Sequence, residues 1–208
     1  MKVLIVKTSS MGDLIHTLPA LTDACRENPG IRFDWVAERA FTEIASWHSA
    51  VERVIPIDLR SWKHRPFSRQ TLREIVVALK GLQFQRYDWI IDAQGLVKSA
   101  LVTGLAHGRS AGMSWTSCKE GLASLAYRKR FVILKEAHAI DRLRELFAKV
   151  LNYRYDAARL DYGWTQREWV DAGIEKPYLV FLHASSKERK CWHNAEWVDA
   201  ARLAQHAG

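Results

Sequence analysis

Val3-Leu4-Ile5-Val6 is an unbroken apolar run. It ends at a polar turn, Thr8-Ser9-Ser10, and gives way at Gly12 to a helical period with Leu14, Leu18 and Leu21 on one face. A short run without polar alternation reads as a strand buried on both faces, which belongs in a parallel sheet sandwiched between helices. The arrangement repeats at once. After the turn Asn28-Pro29-Gly30, Ile31–Val36 alternates as a strand and Glu38–Trp47 reads as a short helix. Val51–Ile57 is a third strand, with Pro56 marking its end or an edge. A βαβαβ order within the first 57 residues is the pattern of a doubly wound parallel α/β sheet.

The next stretch, Asp58 to Gln70, breaks the alternation and reads as a basic loop containing two aromatic residues. Helical spacing resumes at Leu72, Ile75, Val76 and Leu79, with Gly81 placed as its cap. Tyr87–Asp92 is a fourth strand, Ala93-Gln94-Gly95 a turn, Leu96–Leu105 a helix and Arg109–Met113 a short fifth strand. A second basic stretch runs from Lys119 to Arg130, and Phe131–Leu134 reads as another buried strand. His138–Leu151 is the cleanest amphipathic helix. The pattern weakens over 152–176, a connection with a short helix near Gln166–Ala172. Pro177–Ser186 then repeats the opening strand-and-turn, followed by a helix from Asn194 to Gln205. One βα unit cannot cover both its faces. It either extends the first sheet or opens a second domain, and the second arrangement is preferred. The expected division is a first domain over 1–155, a linker over 156–176 and the start of a further domain over 177–208.

Charge says more than bulk composition. The formal net charge of +8 favours anionic partners such as phosphorylated substrates, anionic lipid headgroups or nucleic acid. Against nucleic acid, the cations sit in separate loops and no recognition motif is present. No apolar run reaches the ~18 residues of a membrane span, and the start lacks a secretory cleavage site, so a cytoplasmic location is expected. The three cysteines, Cys25, Cys118 and Cys191, are far apart, which fits reduced thiols and offers no metal-ligand spacing.

The turn after the first strand has neither G-x-G-x-x-G nor the P-loop pattern. It presents Asp13 at a helix start beside serine hydroxyls. Asp13 reads either as a general base for a substrate hydroxyl or as a first-turn acid complementing the helix dipole, which on the bare pattern is the commoner case. A helix N-terminus lowers a carboxyl pKa, so such a base suits a reaction whose leaving group departs first, as with an oxocarbenium-like sugar. The Arg60–Arg65 stretch follows the third strand and Gln94-Gly95 the fourth, which puts both on the edge that carries Asp13. Cations there could hold phosphate or carboxylate, or simply form a solvated loop. Lys98 sits in a first helical turn, where a cation opposes the dipole, and Lys119 adds a charge after the fifth strand. His183 to Lys190 places hydroxyls and cations at a strand-to-helix turn, which suits a departing pyrophosphate or a plain polar loop.

Together, Val3–Asp13, His16-Thr17-Leu18-Pro19-Ala20, Asp92–Ala100, Phe33–Val36, Val51–Pro56, Arg144–Lys149 and Phe181–Ala184 resemble the lipopolysaccharide heptosyltransferases, glycosyltransferase family 9. The resemblance implies a GT-B type fold of two Rossmann-like domains, of which the chain holds the first and the opening βα unit of the second. It implies inverting, metal-independent transfer of L-glycero-D-manno-heptose from ADP-heptose to the Kdo of Kdo-lipid A, with no cofactor, at the cytoplasmic face of the inner membrane. The base falls on Asp13. Ser10, Gly12, Arg60, Lys63, Gln94, Gly95, Lys98 and Lys119 fall around the acceptor, Lys119 standing where Arg is usual. Ser185, Ser186 and Lys190 fall on the donor phosphates, the serines standing where threonines are more familiar. The family's Asp-Thr-Gly-Leu-Ser-His donor motif is absent from residues 1–208, which implies weak or no transfer and poor ADP binding by these residues alone. Two other readings are a non-catalytic module for anionic glycolipid or nucleic acid, and a heptosyltransferase that extends a heptose.

Overall fold

The computed structural model describes residues 1–164, 173–174, 178–181 and 191–206. Six strands form one sheet: β1 Lys2–Val6, β2 Arg32–Glu38, β3 Val51–Ile57, β4 Tyr87–Asp92, β5 Gly108–Met113 and β6 Lys129–Phe131. All neighbours are parallel, in the order β3-β2-β1-β4-β5-β6. The helices are α1 Met11–Ile15, α2 Leu18–Glu27, α3 Thr42–Ala45, α4 Leu59–His64, α5 Arg69–Gln83, α6 Val97–Leu105, α7 Ala139–Leu151 and α8 Asn194–His206, with short 3-10 turns at Arg39–Phe41 and Gly121–Ala126. The chain winds outward from β1 to β3, then crosses to β4 on the other side of β1. The strand order therefore reverses between β1 and β4, where doubly wound sheets open a crevice.

β1 is buried on both faces. Val3 and Ile5 pack with α2, α3 and α7, and Leu4 and Val6 pack with α5 and α6. Two compact units divide the chain, Met1–Gln166 and Arg167–Gly208.

Several elements depart from their expected form for local reasons. The opening helix is two helices, α1 and α2. Pro19 lies in the first turn of α2, where it has no N–H to continue the ladder, and Thr17 Oγ1 donates instead to Asp13 O at 2.8 Å. The expected loop after β3 contains α4, because the Asp58 carboxylate accepts from Ser61 N–H at 3.1 Å while Leu59 and Trp62 pack on the core. Gly81 lies inside α5 rather than capping it. A Cβ there would come within 3.1 Å of Ile55 Cγ2, so the glycine permits close approach of α5 to β3. β6 is a three-residue edge strand, and Val132 and Leu134 beyond it are exposed rather than buried.

Residues 156–164 are part of the first unit. Arg144, almost fully buried, pairs with Asp23 at 2.6 Å and donates to the carbonyl oxygens of Asp156 and Arg159. The expected helix at Gln166–Ala172 lies outside the described residues. The rest of the strand expected over Pro177–Ser186 lies outside the described residues, and Tyr178–Phe181, which are described, are exposed rather than buried. In the second unit, Trp197 of α8 meets Phe181 edge-on and Trp192 at a tilt.

Breaking a buried ion pair leaves one charge uncompensated. Arg144→Leu should therefore lower unfolding free energy by about 3–5 kcal/mol, read by urea denaturation.

Candidate active site

The crevice between the ends of β1 and β4 is built by two turns tied together. Asp92, fully buried, accepts from Gln94 N–H at 2.9 Å and Gly95 N–H at 3.0 Å through Oδ1, and from the Tyr127 hydroxyl at 2.8 Å through Oδ2. Gly95 has φ of +68°, a left-handed conformation that glycine adopts without strain. The turn so formed aims Gln94 across the sheet edge. Its Oε1 accepts from both the N–H and the hydroxyl of Thr8 at 2.7 Å. The Thr8–Ser10 turn is thereby fastened to the end of β4.

Asp13 stands at the mouth of this crevice. Its Oδ2 accepts from Ser10 N–H at 3.1 Å and Ser10 Oγ at 2.9 Å. Its Oδ1 faces Lys7 Nζ at 3.7 Å and Lys119 Nζ at 3.9 Å. Burial pushes the carboxyl up, but the Lys7 charge, the Ser10 donors and Lys119 outweigh it and hold Asp13 below the usual carboxylate range. Lys7 is almost wholly buried and also donates to Ala93 O at 3.2 Å. Burial, with Lys119 adding to it, pushes its ammonium down to about 8 against the attraction of Asp13 and Asp92.

A pocket open to solvent is lined by Lys7, Asp13, Gln94, Lys119 and Arg142 together with Ala93, Met113, Ala139 and Leu143. Arg142, from the first turn of α7, donates to Ser117 O at 2.7 Å, and its buried Nε has no partner among the described residues. The pocket therefore sets a carboxylate among cations, an arrangement that can receive an anionic substrate and accept a proton from its hydroxyl.

The expected site residues divide accordingly. Asp13, Gln94 and Lys119 line the pocket; Ser10 and Gly95 shape it. Gly12 borders open space, since a Cβ there would meet nothing within 4 Å. Arg60 and Lys98 instead bring their charges to Glu38, a buried carboxyl that burial raises and those two cations draw back down. Lys63 is exposed on α4 and lines no part of the pocket. Ser185, Ser186 and Lys190 lie outside the described residues. Lys7 and Arg142 were not singled out from sequence. Lys7 could have been found as the residue where the buried β1 run ends, whereas Arg142 reaches the site only through the packing of α7. Among the described residues, no group of three His, Cys, Asp or Glu is placed to hold a metal.

The chain's residues 76–208 match the sequence model of glycosyltransferase family 9 (heptosyltransferase), and the chain belongs to that family. It is 50% identical to lipopolysaccharide heptosyltransferase 1 of Escherichia coli K12, over all of this chain and 66% of the relative. Two solved structures are similar. E. coli heptosyltransferase WaaC with ADP has a TM-score of 0.90 and 50% identity, matching 98% of this chain and 64% of that one. The same enzyme with ADP-2-deoxy-2-fluoro heptose has a TM-score of 0.86 and 47% identity, matching 98% and 65%. The chain thus spans about two thirds of the length of these relatives.

The depressed Lys7 sets a sign for stability. Between about 8 and 10.5 the unfolded chain binds more protons than the folded one at this residue, so its contribution to stability rises with pH across that window. Lys7→Met should remove this rise, worth up to roughly 3 kcal/mol, as read by urea unfolding of both proteins at neutral pH and near pH 10.

Proposed function

We propose that the protein transfers L-glycero-D-manno-heptose from ADP-heptose to the Kdo of Kdo-lipid A in lipopolysaccharide inner-core synthesis. The observation that carries this reading is the Asp13 carboxylate, held ionised in a pocket with Lys7, Lys119 and Arg142 at the reversal point of the sheet. The relatives are named for this class of transfer, and the two solved neighbours are a heptosyltransferase with ADP and with ADP-2-deoxy-2-fluoro heptose.

In this reading an acceptor hydroxyl attacks the anomeric carbon as its bond to the ADP phosphate oxygen breaks, and the hydroxyl proton passes to Asp13. The configuration inverts and no metal takes part. A carboxylate with a lowered pKa is a weak base, which fits an oxocarbenium-like transition state where the attacking hydroxyl turns acidic late. Lys119 and Arg142 receive the acceptor's carboxylate, and Arg60, Lys63 and Lys98 its outlying phosphates. The fall of Ser185, Ser186 and Lys190 on the family's donor pattern assigns them to the ADP phosphates. Residues 1–155 then make the acceptor domain and 177–208 belong to the donor domain. Because the acceptor is lipid-borne, the enzyme works as a peripheral protein on the cytoplasmic face of the inner membrane.

In a chain extended to the length of its relatives, Asp13→Ala should reduce transfer to Kdo-lipid A by about 10²–10⁴-fold. The variant should stay folded, its melting temperature lowered modestly because the buried Lys7 loses the carboxylate it faces while the Ser10 contacts are local. Transfer at the unsubstituted rate would overturn the assignment of the base.

A further inference from the structure

The two helical layers that cover the sheet differ sharply at their outer surfaces. On one side, α2, α3 and α7 expose no large apolar side chain. On the other side, α5 and α6 anchor themselves with Ala78, Leu82 and Val102 on one core cluster. Yet their outer faces present Leu72, Val76 and Val77 from α5 and Leu101 and Leu105 from α6, all exposed, with Val77 at 64% and Leu101 at 68%. Phe67, in the turn that leads into α5, is 92% exposed. Single exposed apolar residues are ordinary, but several on the helices of one layer against none on those of the other are not.

Charge accompanies the apolar surface. Arg69, Arg73 and Lys80 project from the exposed side of α5 and make no ion pair among the described residues. The single acid of α5, Glu74, is already bound by Trp62 Nε1 at 2.8 Å and Arg39 at 3.2 Å. A face that combines apolar side chains with unpaired cations would repel a second copy of itself. It is complementary to an anionic lipid surface, where the apolar groups enter the interface and the cations meet headgroups.

Topology then supplies the orientation. Because β3 and β4 are parallel, α5 starts at the edge of the sheet where β3 ends, and that is the edge that carries Asp13. Phe67 and Arg69 therefore stand at the site's own edge of the layer.

We infer that the outer face of α5 and α6, led by Phe67, is the surface by which the protein docks on an anionic lipid bilayer. The inference rests on the reading of a lipid-borne acceptor and names the surface that brings the pocket to it. No covalent step is involved.

The test is flotation of the 208-residue chain with vesicles of phosphatidylethanolamine and phosphatidylglycerol, against vesicles of phosphatidylcholine alone. The unsubstituted chain should float with the anionic vesicles and not with the neutral ones. The pairs Val77→Glu with Leu101→Glu, and Arg73→Glu with Lys80→Glu, should each weaken binding by about tenfold or more. Lys149→Glu, a charge reversal on α7 of the opposite layer, should leave it unchanged. Circular-dichroism melting of each variant separates lost binding from lost folding, and the milder Val77→Gln with Leu101→Gln replaces any variant that does not fold. Binding by both face variants equal to that of the unsubstituted chain would overturn the assignment of the surface. So would failure of the unsubstituted chain to bind, or a dimer in sedimentation equilibrium that Val77→Glu with Leu101→Glu dissociates. The lipid-borne acceptor itself is tested separately, by transfer to Kdo-lipid A dispersed in detergent.

Discussion

The parallel strand β1 has neighbours on both edges and helices on both faces, and the rest of the molecule follows from that enclosure. A backbone so enclosed has its hydrogen bonds satisfied by β2 and β4, so polar groups become available for chemistry only where the strand ends. At that end the chain turns toward α2 while the neighbouring β4 turns the other way, into α6. The crevice between the two turns is where Lys7, Thr8 and Asp13 emerge. Its shape is held by hydrogen bonds within and between the two turns: Asp92 folds the Gln94-Gly95 turn, and Gln94 holds Thr8. Gly112 leaves room for the Tyr127 ring that reaches Asp92, since a Cβ there would lie 2.4 Å from Cε2 of that ring.

The electrostatics of the pocket set two tendencies against each other. Burial would protonate Asp13 and neutralise Lys7, and each group opposes that tendency in the other. The carboxylate stays ionised at the cost of basicity, since the cations that stabilise its charge also weaken its pull on a proton. A site of this kind is unsuited to deprotonating an ordinary alcohol early. It is suited to collecting a proton that a nearly completed glycosidic bond has already loosened.

Much of this was legible before any tertiary contact was considered. The periods of Val3–Val6, Tyr87–Asp92 and Ala139–Leu151 announce their elements because each satisfies one strong pattern, and the βαβ rhythm leaves few ways to order the sheet. Asp13 and Gln94 could be placed on one edge from connectivity alone. Less legible were features decided by a neighbour. Asp58 turns an apparent loop into α4, and Gly81 serves a close approach to Ile55 rather than a helix end. Val132 and Leu134 look like core residues until the sheet is seen to end at β6.

By itself, the sequence determined the alternation of elements, the parallel class of the sheet and the edge on which the polar turns collect, because local periodicity and chain direction suffice for these. Only the tertiary structure decided which charges share the Asp13 pocket. Lys7 leaves β1 and Arg142 leaves α7, more than a hundred residues apart. Meanwhile Arg60 and Lys98, nearer to expectation on paper, are not among the residues that line the pocket, and their charges act on Glu38. The physical reason is that electrostatic interaction depends on distance and burial through space, and neither can be read from spacing along a chain.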